Sequence, residues 1–213
     1  MRNILDTVYF AVGLLIAVDL HEYAHAFVAV RLGDQTPKAM GRLTLNPRPL
    51  VDPFGTLVLP GILLLPTLLA GRGWIPFAYA KPMPLNPWNL RRRDADAVWV
   101  ALAGIGANVA LAFVFGALFR ISPGSELGRF FARCLQVNVV MAALHIVPIP
   151  GLDGGRLVAR FLPPHARDVF LNLEQYLALF MLVVFFLLAT PIQSFVAAIG
   201  NGICRLAAGL PCL

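Results

Sequence analysis

The stretch that decides the fold is AVDLHEYAHAFVAV, residues 17–30, an apolar run that carries Asp19, His21, Glu22 and His25 within seven positions. An ionisable side chain near the centre of a bilayer costs about 2.5–3.5 kcal/mol on insertion scales, so such groups are normally kept for function. The run therefore predicts a membrane helix that holds a functional polar site, not a helix that only anchors the chain.

The whole chain has the composition of a membrane protein. Of its 213 residues, 59% are hydrophobic and 13% are charged, whereas a soluble domain has about 45–50% and about 25%. We assign the net charge of +6 to loop arginines that face lipid headgroups and not to a nucleic-acid surface. The three cysteines match no metal motif and no disulfide framework. Only two of the 17 basic residues are lysines, a bias that suggests a GC-rich genome and thus a bacterial plasma membrane.

Apolar segments long enough for membrane helices recur along the chain. At about 20 residues per crossing, they predict an α-helical integral membrane protein with five to six transmembrane helices. We expect one domain over residues 1–213, with a core at 4–160 and C-terminal helices at 174–210. Short β-strands are predicted in the loops after helices 1 and 2, within 39–46 and 75–85, where the sequence alternates or is rich in proline and aromatic residues. The apolar segments lie at 4–30, 55–70, 97–119, 130–147 and 174–199, with a short one at 200–210.

The ionisable cluster has the spacing of a zinc site. His21 and His25 are four residues apart, so on a helix they project from one face, one turn apart, and can bind one zinc ion together. Glu22 lies beside them and is predicted to take a proton from the attacking water, as in zinc hydrolases with the motif His-Glu-x-x-His. Asp19 lies off the histidine face. It is either a structural partner or a hydrogen-bond acceptor for one of the zinc ligands. The alternative for the cluster is a hydrogen-bonded polar seam without metal.

A catalytic zinc ion needs a third protein ligand, and the best candidate in another apolar segment is Asp153. In HIVPIPGLDGGRL, residues 145–157, two prolines break the preceding helix and three glycines free the backbone around this carboxylate. The residues after Asp153 are also typical of a helix start, with Asp153 as the N-cap. Because the chain also carries the histidine pair, we favour the role of zinc ligand for Asp153 over the role of N-cap.

Four stretches form a specific combination: HEYAH (21–25), GRLTLNPRPLVDPFGTLVLP (41–60), PFAYAKPMPLNPWNLRRRDADAVWVALAGIGANVALA (76–112) and NVVMAALHIVPIPGLDGGRL (138–157). Together they resemble the site-2 proteases, the intramembrane zinc metalloproteases, from about residue 12 to about residue 160. The resemblance implies one zinc ion per chain, held by His21, His25 and Asp153, with Glu22 as general base. It implies a compact family member without a PDZ or CBS domain, which contacts lipid and cleaves transmembrane protein substrates. The oligomeric state is not set by the sequence.

The chain departs from the family pattern at one position. His145 replaces the asparagine that stands eight residues before the ligand aspartate and that in the family helps to hold the substrate or the oxyanion. His145 is left with three roles: a hydrogen-bond donor to the oxyanion, a metal ligand in competition with Asp153, or a replacement without a role. Asn138, about two helical turns earlier, is the alternative donor. Asn46 and Asn108 are predicted to contact substrate, with loop ordering and helix packing as their alternative roles.

The sequence thus predicts an intramembrane zinc endopeptidase that acts in regulated intramembrane proteolysis. A target helix would enter laterally, unwind, and pair with one of the predicted strand edges. One alternative is a membrane scaffold that binds zinc but does not cleave, which would have no need for Glu22. The other is a proton- or ion-coupled transporter, since intramembrane His, Glu and Asp also suit that function, although the chain has no inverted repeat.

Overall fold

Helices account for the regular structure of the described chain. The computed structural model describes residues 2–53, 58, 80–81, 83–173 and 177–213, with side chains at 4–53, 58, 80–81, 83–163, 165–173 and 190–213. The α-helices are α1 (Arg2–Arg31), α2 (Thr36–Ala39), α3 (Arg93–Ile121), α4 (Glu126–His145), α5 (Asp153–Ala159), α6 (Pro164–Asn172) and α7 (Leu177–Ala208). Short 3₁₀ helices lie at Arg48–Leu50 and Pro87–Asn89.

Three helices are long and apolar enough to cross a membrane, and they indicate a membrane protein. Among the described residues, they are Ile4–Arg31 within α1, then α3 and α4. The predicted segment 55–70 lies almost wholly outside the described part of the chain, and segment 174–199 falls largely within α7. The count of five to six crossings and the division of the chain at residue 160 therefore stay predictions.

Helices α1, α3 and α4 pack against one another in pairs, and α7 packs against α3 and α4. Small side chains make these contacts: Ala112 of α3 is fully buried beside Cys204 and Ala207 of α7. In lipid, apolar surface gives little drive for helix association, so close packing of small residues takes its place. The outward residues are large and apolar, for example Leu15 and Val114, each about half exposed. This arrangement leaves His21 and His25 of α1 in the interior of the bundle.

The loop strands predicted after the first two helices are not found in the described residues, which contain no β-strand. Ala39 ends α2, residues 40–46 form turns, bends and irregular structure, and of 75–85 the residues at 80–81 and 83–85 are irregular. Arg42 gives a physical reason, because its buried side chain donates hydrogen bonds to the carbonyls of Pro49 and Lys81. These bonds fold the segment back on itself, so it does not run beside a partner strand.

The cysteine spacing predicted no pairing, and the structure pairs two of the three residues. Cys204 and Cys212 form a disulfide, while Cys134 is free and buried. The pairing depends on the tail folding back along α7, where the Asn201 side chain accepts hydrogen bonds from the backbone of Cys212 and Leu213. A return of this kind leaves no spacing motif in the sequence.

Asp34 ties the end of α1 to the segment that leads into α3. Its buried carboxylate accepts hydrogen bonds from the backbone and hydroxyl of Thr36 at 3.0 and 2.6 Å, from the backbone of Asn86 at 2.8 Å and from the Asn89 amide at 3.1 Å. Burial alone would raise the pKa of this carboxyl, but the hydrogen bonds outweigh it and hold the pKa below the ordinary value of 3.8. Asp34 thus stabilises the fold in its charged form.

We expect Asp34→Ala to lower the free energy of unfolding by about 3 kcal/mol at neutral pH, because four donors lose a charged acceptor that is itself buried. A lowered folded-state pKa contributes stability above the unfolded-state pKa, and that contribution is lost as the pH falls through the folded-state pKa. The difference between wild type and variant should therefore shrink below about pH 4. Thermal unfolding in detergent, from neutral pH to below about pH 4, measures this difference in stability. The control is Asp168→Ala, which changes an exposed aspartate. A difference that stays constant down to low pH would contradict the linkage.

Candidate metal centre

The two histidines of the opening motif meet inside the bundle. His21 and His25 lie one turn apart on α1, and their residues are only 2% and 3% exposed. Their Nε2 atoms are 3.0 Å apart, and the rings meet edge to face with centroids 4.5 Å apart. The four-residue spacing on a helix accounts for this placement. Both rings therefore present the same nitrogen to one point.

A tight turn after α4 brings Asp153 to that point. Gly151, with a φ of +89°, reverses the chain, Leu152 is the N-cap of α5, and Asp153 is the first residue of the helix. One carboxylate oxygen lies 3.2 Å from Nε2 of His21 and the other lies 3.3 Å from Nε2 of His25. Leu152 thus takes the N-cap position, and the Asp153 carboxylate faces the histidines.

Two glycines after Asp153 allow the turn to close. A Cβ atom at Gly154 would lie 2.2 Å from the carbonyl oxygen of Ile146, and one at Gly155 would lie 2.1 Å from that of Ile149. A side chain at either position would push the start of α5 outward and carry Asp153 away from the histidines. The two glycines therefore set the position of this carboxylate.

The three side chains fit a zinc ion. Ligand atoms at about 2.0–2.1 Å from a tetrahedral zinc lie about 3.3–3.4 Å from each other, and the three distances here are 3.0, 3.2 and 3.3 Å. Oδ2 of Asp153 is buried and has no hydrogen-bond partner, although Nε2 of His21 lies close to it. Two imidazole nitrogens and one carboxylate are ligands that zinc prefers. His21, His25 and Asp153 form what we call the triad.

His145, at the end of α4, lies at the edge of the triad. Its ring centroid is 4.3 Å from that of His21, and its Nδ1 is 2.9 Å from the carbonyl oxygen of Met141. This contact leaves Nε2 of His145 available. One ligand atom each from His21, His145 and Asp153 lie within 4.8 Å of one another. His145 is therefore within reach of a metal in the triad and of a substrate bound to it.

Two carboxylates of α1 have a buried oxygen without a hydrogen-bond partner: Oε2 of Glu22 and Oδ1 of Asp19. Burying a carboxylate oxygen without a donor is costly, so such atoms are often retained for chemistry. Glu22 directly follows His21, which places it beside the triad. Asp19 is half-buried on the same helix, two residues before His21.

The three asparagines singled out in the sequence lie in different places. Asn108 of α3 is fully buried, with Nδ2 3.3 Å from Nδ1 of His21. Asn138 of α4 is also buried and donates from Nδ2 to the carbonyl of Cys134 at 2.8 Å. Asn46 is exposed in a turn, where its side chain accepts from the backbone of Arg48 at 3.1 Å. Asn108 is thus the one of the three with a described contact to the triad, and the roles of all three toward substrate stay predictions.

Sequence reasoning missed two parts of α3 that contact the histidines. The carbonyl oxygen of Val100 lies 2.7 Å from Nδ1 of His25. Gly104 lies against both rings, since a Cβ atom there would be 2.4 Å from Nε2 of His25 and 2.7 Å from Nε2 of His21. The small residues at 103, 104, 106 and 107 indicate close helix packing, but they do not indicate which helix packs there or in what register.

The chain is similar to proteins whose names describe zinc metalloproteases. It is 34% identical over 198 residues to "Putative zinc metalloprotease YwhC" of Bacillus subtilis (strain 168), across 88% of this chain and 83% of that protein. It is 33% identical over 178 residues to "Putative zinc metalloprotease Rip2" of Mycobacterium tuberculosis (strain ATCC 25618 / H37Rv), across 81% of this chain and 64% of that protein. Rip2 of Mycolicibacterium smegmatis (strain ATCC 700084 / mc(2)155) is 33% identical over 184 residues, across 84% and 66%. No protein-family model and no solved structure matches the chain.

Proposed function

The chain belongs to the zinc metalloprotease family of YwhC and Rip2, and we propose that it is an intramembrane zinc endopeptidase of the site-2 protease type. The triad is the observation that carries the proposal: two buried histidine nitrogens 3.0 Å apart, with one carboxylate oxygen of Asp153 3.2 Å from the first and the other oxygen 3.3 Å from the second. Both histidines lie on a helix long enough to cross a membrane.

The reaction uses four side chains of this cluster. His21, His25 and Asp153 would hold one zinc ion. When bound, zinc supplies Lewis acidity to the scissile carbonyl and to a water molecule. Glu22 takes one proton from that water while the water oxygen bonds to the carbonyl carbon, and it gives the proton to the amine nitrogen as the carbon–nitrogen bond breaks. The second proton of the water stays with the new carboxyl group and then passes to the amine, so the products are a carboxylate and an ammonium group, and no other co-reactant is needed.

The depth of the triad supports a substrate within the membrane. His21 and His25 lie ten and six residues before Arg31, where the apolar span of α1 ends, which is about 15 and about 9 Å along the helix. A hydrocarbon core is about 30 Å thick, so the scissile bond would lie inside it and nearer to one surface. We propose a transmembrane segment of another protein as substrate, unwound locally, in regulated proteolysis at a bacterial plasma membrane.

One observation favours a second function. His145 is close enough to His21 to complete a four-ligand site, and zinc sites with four protein ligands are usually structural. In that case the chain would be a zinc-holding membrane scaffold without hydrolytic activity. The unpartnered oxygen of Glu22 favours the protease, because a scaffold has no need for a base beside the metal.

Reconstitution of the purified chain in lipid vesicles tests the proposal. With a panel of single-span bacterial membrane proteins as probes, we expect about one zinc ion per chain and cleavage of at least one probe within or next to its apolar segment, located by mass spectrometry. Removal of zinc by a chelator should stop cleavage, and addition of zinc should restore it. His21→Ala should be inactive, while His165→Ala, which changes an exposed histidine of α6, should cleave like wild type. Bound zinc without cleavage of any probe would support the scaffold.

A further inference from the structure

We infer that one face of α3, made of Val100, Gly104 and Asn108, positions both histidines so that each offers Nε2 to the metal. The inference rests on the proposed function, because it concerns the same zinc site. It assigns these residues to positioning, since they contact the ligands and not the reacting atoms. We call this set the α3 face.

The α3 face runs antiparallel to the histidine pair. Residues 100, 104 and 108 are spaced by four and so lie on one side of a helix, in successive turns. Val100 is level with His25 and Asn108 is level with His21, with ring contacts at 2.7 and 3.3 Å. Gly104 lies between them, against both Nε2 atoms. The two histidines are one turn apart on α1. Their partners, the carbonyl of Val100 and the side chain of Asn108, are two turns apart on α3, with Gly104 between them.

The partner of His25 decides which of its nitrogens can bind metal. A backbone carbonyl is an acceptor only, so the contact of 2.7 Å between Val100 and Nδ1 of His25 requires a hydrogen on Nδ1. The neutral ring then has its lone pair on Nε2, the atom that faces the triad. Histidine ligands of zinc commonly donate their other ring hydrogen to a carbonyl or a carboxylate in this way.

Asn108 does the same for His21 once its amide oxygen faces the ring. The described contact joins Nδ2 of Asn108 to Nδ1 of His21, and Oδ1 of Asn108 is buried without a partner. A half-turn of the amide exchanges the two atoms in nearly the same volume. It gives Oδ1 a donor, and it selects the His21 tautomer whose lone pair is on Nε2. One rotation of the Asn108 amide therefore gives Oδ1 a hydrogen-bond donor and leaves Nε2 of His21 free to bind the metal.

Gly104 supplies the space in which the ligand atoms converge. A methyl group at this position would overlap Nε2 of both histidines, at 2.4 and 2.7 Å. The neighbouring Gly106 is a matched control on the same helix, because a Cβ atom there meets nothing within 4 Å. Gly104→Ala and Gly106→Ala thus add the same methyl group and differ in what it contacts.

The test measures the zinc dissociation constant of the detergent-purified full chain by competition with a chelator. Loss of a hydrogen bond behind a ligand typically weakens metal binding about 10–100-fold, and we expect this for Asn108→Leu, which keeps the number of side-chain heavy atoms and the branching at Cγ. Asn108→Asp should bind zinc at least as tightly as wild type, because a carboxylate also accepts from Nδ1 of His21. Gly104→Ala should weaken zinc binding by more than about 100-fold, and Gly106→Ala should bind like wild type. Cobalt substitution gives a second readout, since its visible spectrum reports the coordination geometry.

The outcomes separate this inference from the proposed function. Equal zinc affinity of Asn108→Leu and wild type would show that Asn108 only packs, and equal weakening by Leu and Asp would exclude an acceptor role; either result overturns the assignment of Asn108. Equal affinity of the two glycine variants overturns the assignment of Gly104. A wild-type chain that binds no zinc overturns the proposed function itself. Thermal unfolding of each variant without added zinc checks that a loss of affinity is not a loss of fold.

Discussion

Glu22→Gln is expected to abolish hydrolysis and to leave zinc bound. The change replaces the carboxylate by an amide of almost the same shape that cannot take a proton, while His21, His25 and Asp153 are untouched. A positioned general base contributes about 10²–10⁴-fold to rate, so cleavage of a reconstituted probe should fall by at least about 100-fold. Zinc content, measured on the same preparation, should stay at the wild-type value.

The chain offers a matched control for this change. Glu126 begins α4, is exposed and pairs with Arg129, so Glu126→Gln makes the same chemical change away from the triad. It should cleave the probe at the wild-type rate. Zinc loss in Glu22→Gln would mean that Glu22 holds the metal or supports its ligands. Unchanged cleavage would remove Glu22 from the mechanism.

The part of the site that lies within one helix was predictable from sequence. His21, Glu22 and His25 owe their arrangement to local geometry, because a spacing of four on a helix leaves little freedom. Asp153 was predictable for a different reason: a single carboxylate among prolines and glycines in an apolar region has few roles other than a ligand or a helix cap. The structure brings Asp153 to the histidines and gives the cap position to Leu152.

The remainder depends on packing between distant parts of the chain. Val100 contacts His25 through a backbone carbonyl, and every residue has one, so no side-chain pattern marks it. Asn108 was assigned to packing or substrate because its helix partner was unknown, and its contact with His21 follows from the register of α3 on α1. The expected strand at 39–46 failed for a similar reason: Arg42 makes its hydrogen bonds across the loop. Helix register and loop closure depend on contacts between distant parts of the chain, so an alternating sequence pattern does not predict them.

Asp153→Ala is expected to remove zinc from the chain, whereas His145→Ala is expected to keep it. The carboxylate of Asp153 lies 3.2 and 3.3 Å from the two histidine nitrogens, which is the spacing of ligands around one zinc ion. His145 belongs to a looser group that extends to 4.8 Å. Loss of a direct ligand should exceed the effect of losing a supporting hydrogen bond, so we expect zinc affinity to fall by more than about 100-fold. The measurement is zinc per chain after purification, followed by chelator competition.

Asp168→Ala and His165→Ala, both exposed on α6, are the matched controls, and the pattern across the set decides the nature of the site. If zinc is lost in Asp153→Ala and kept in His145→Ala, the site has three protein ligands, and a fourth position is open for hydrolysis. Zinc lost in both Asp153→Ala and His145→Ala indicates four protein ligands and supports the scaffold. His145→Asn separates the remaining roles, because an amide can donate a hydrogen bond to an oxyanion but is a poor zinc ligand. If His145 acts as the donor, His145→Asn keeps zinc and retains most of the cleavage rate that His145→Ala loses.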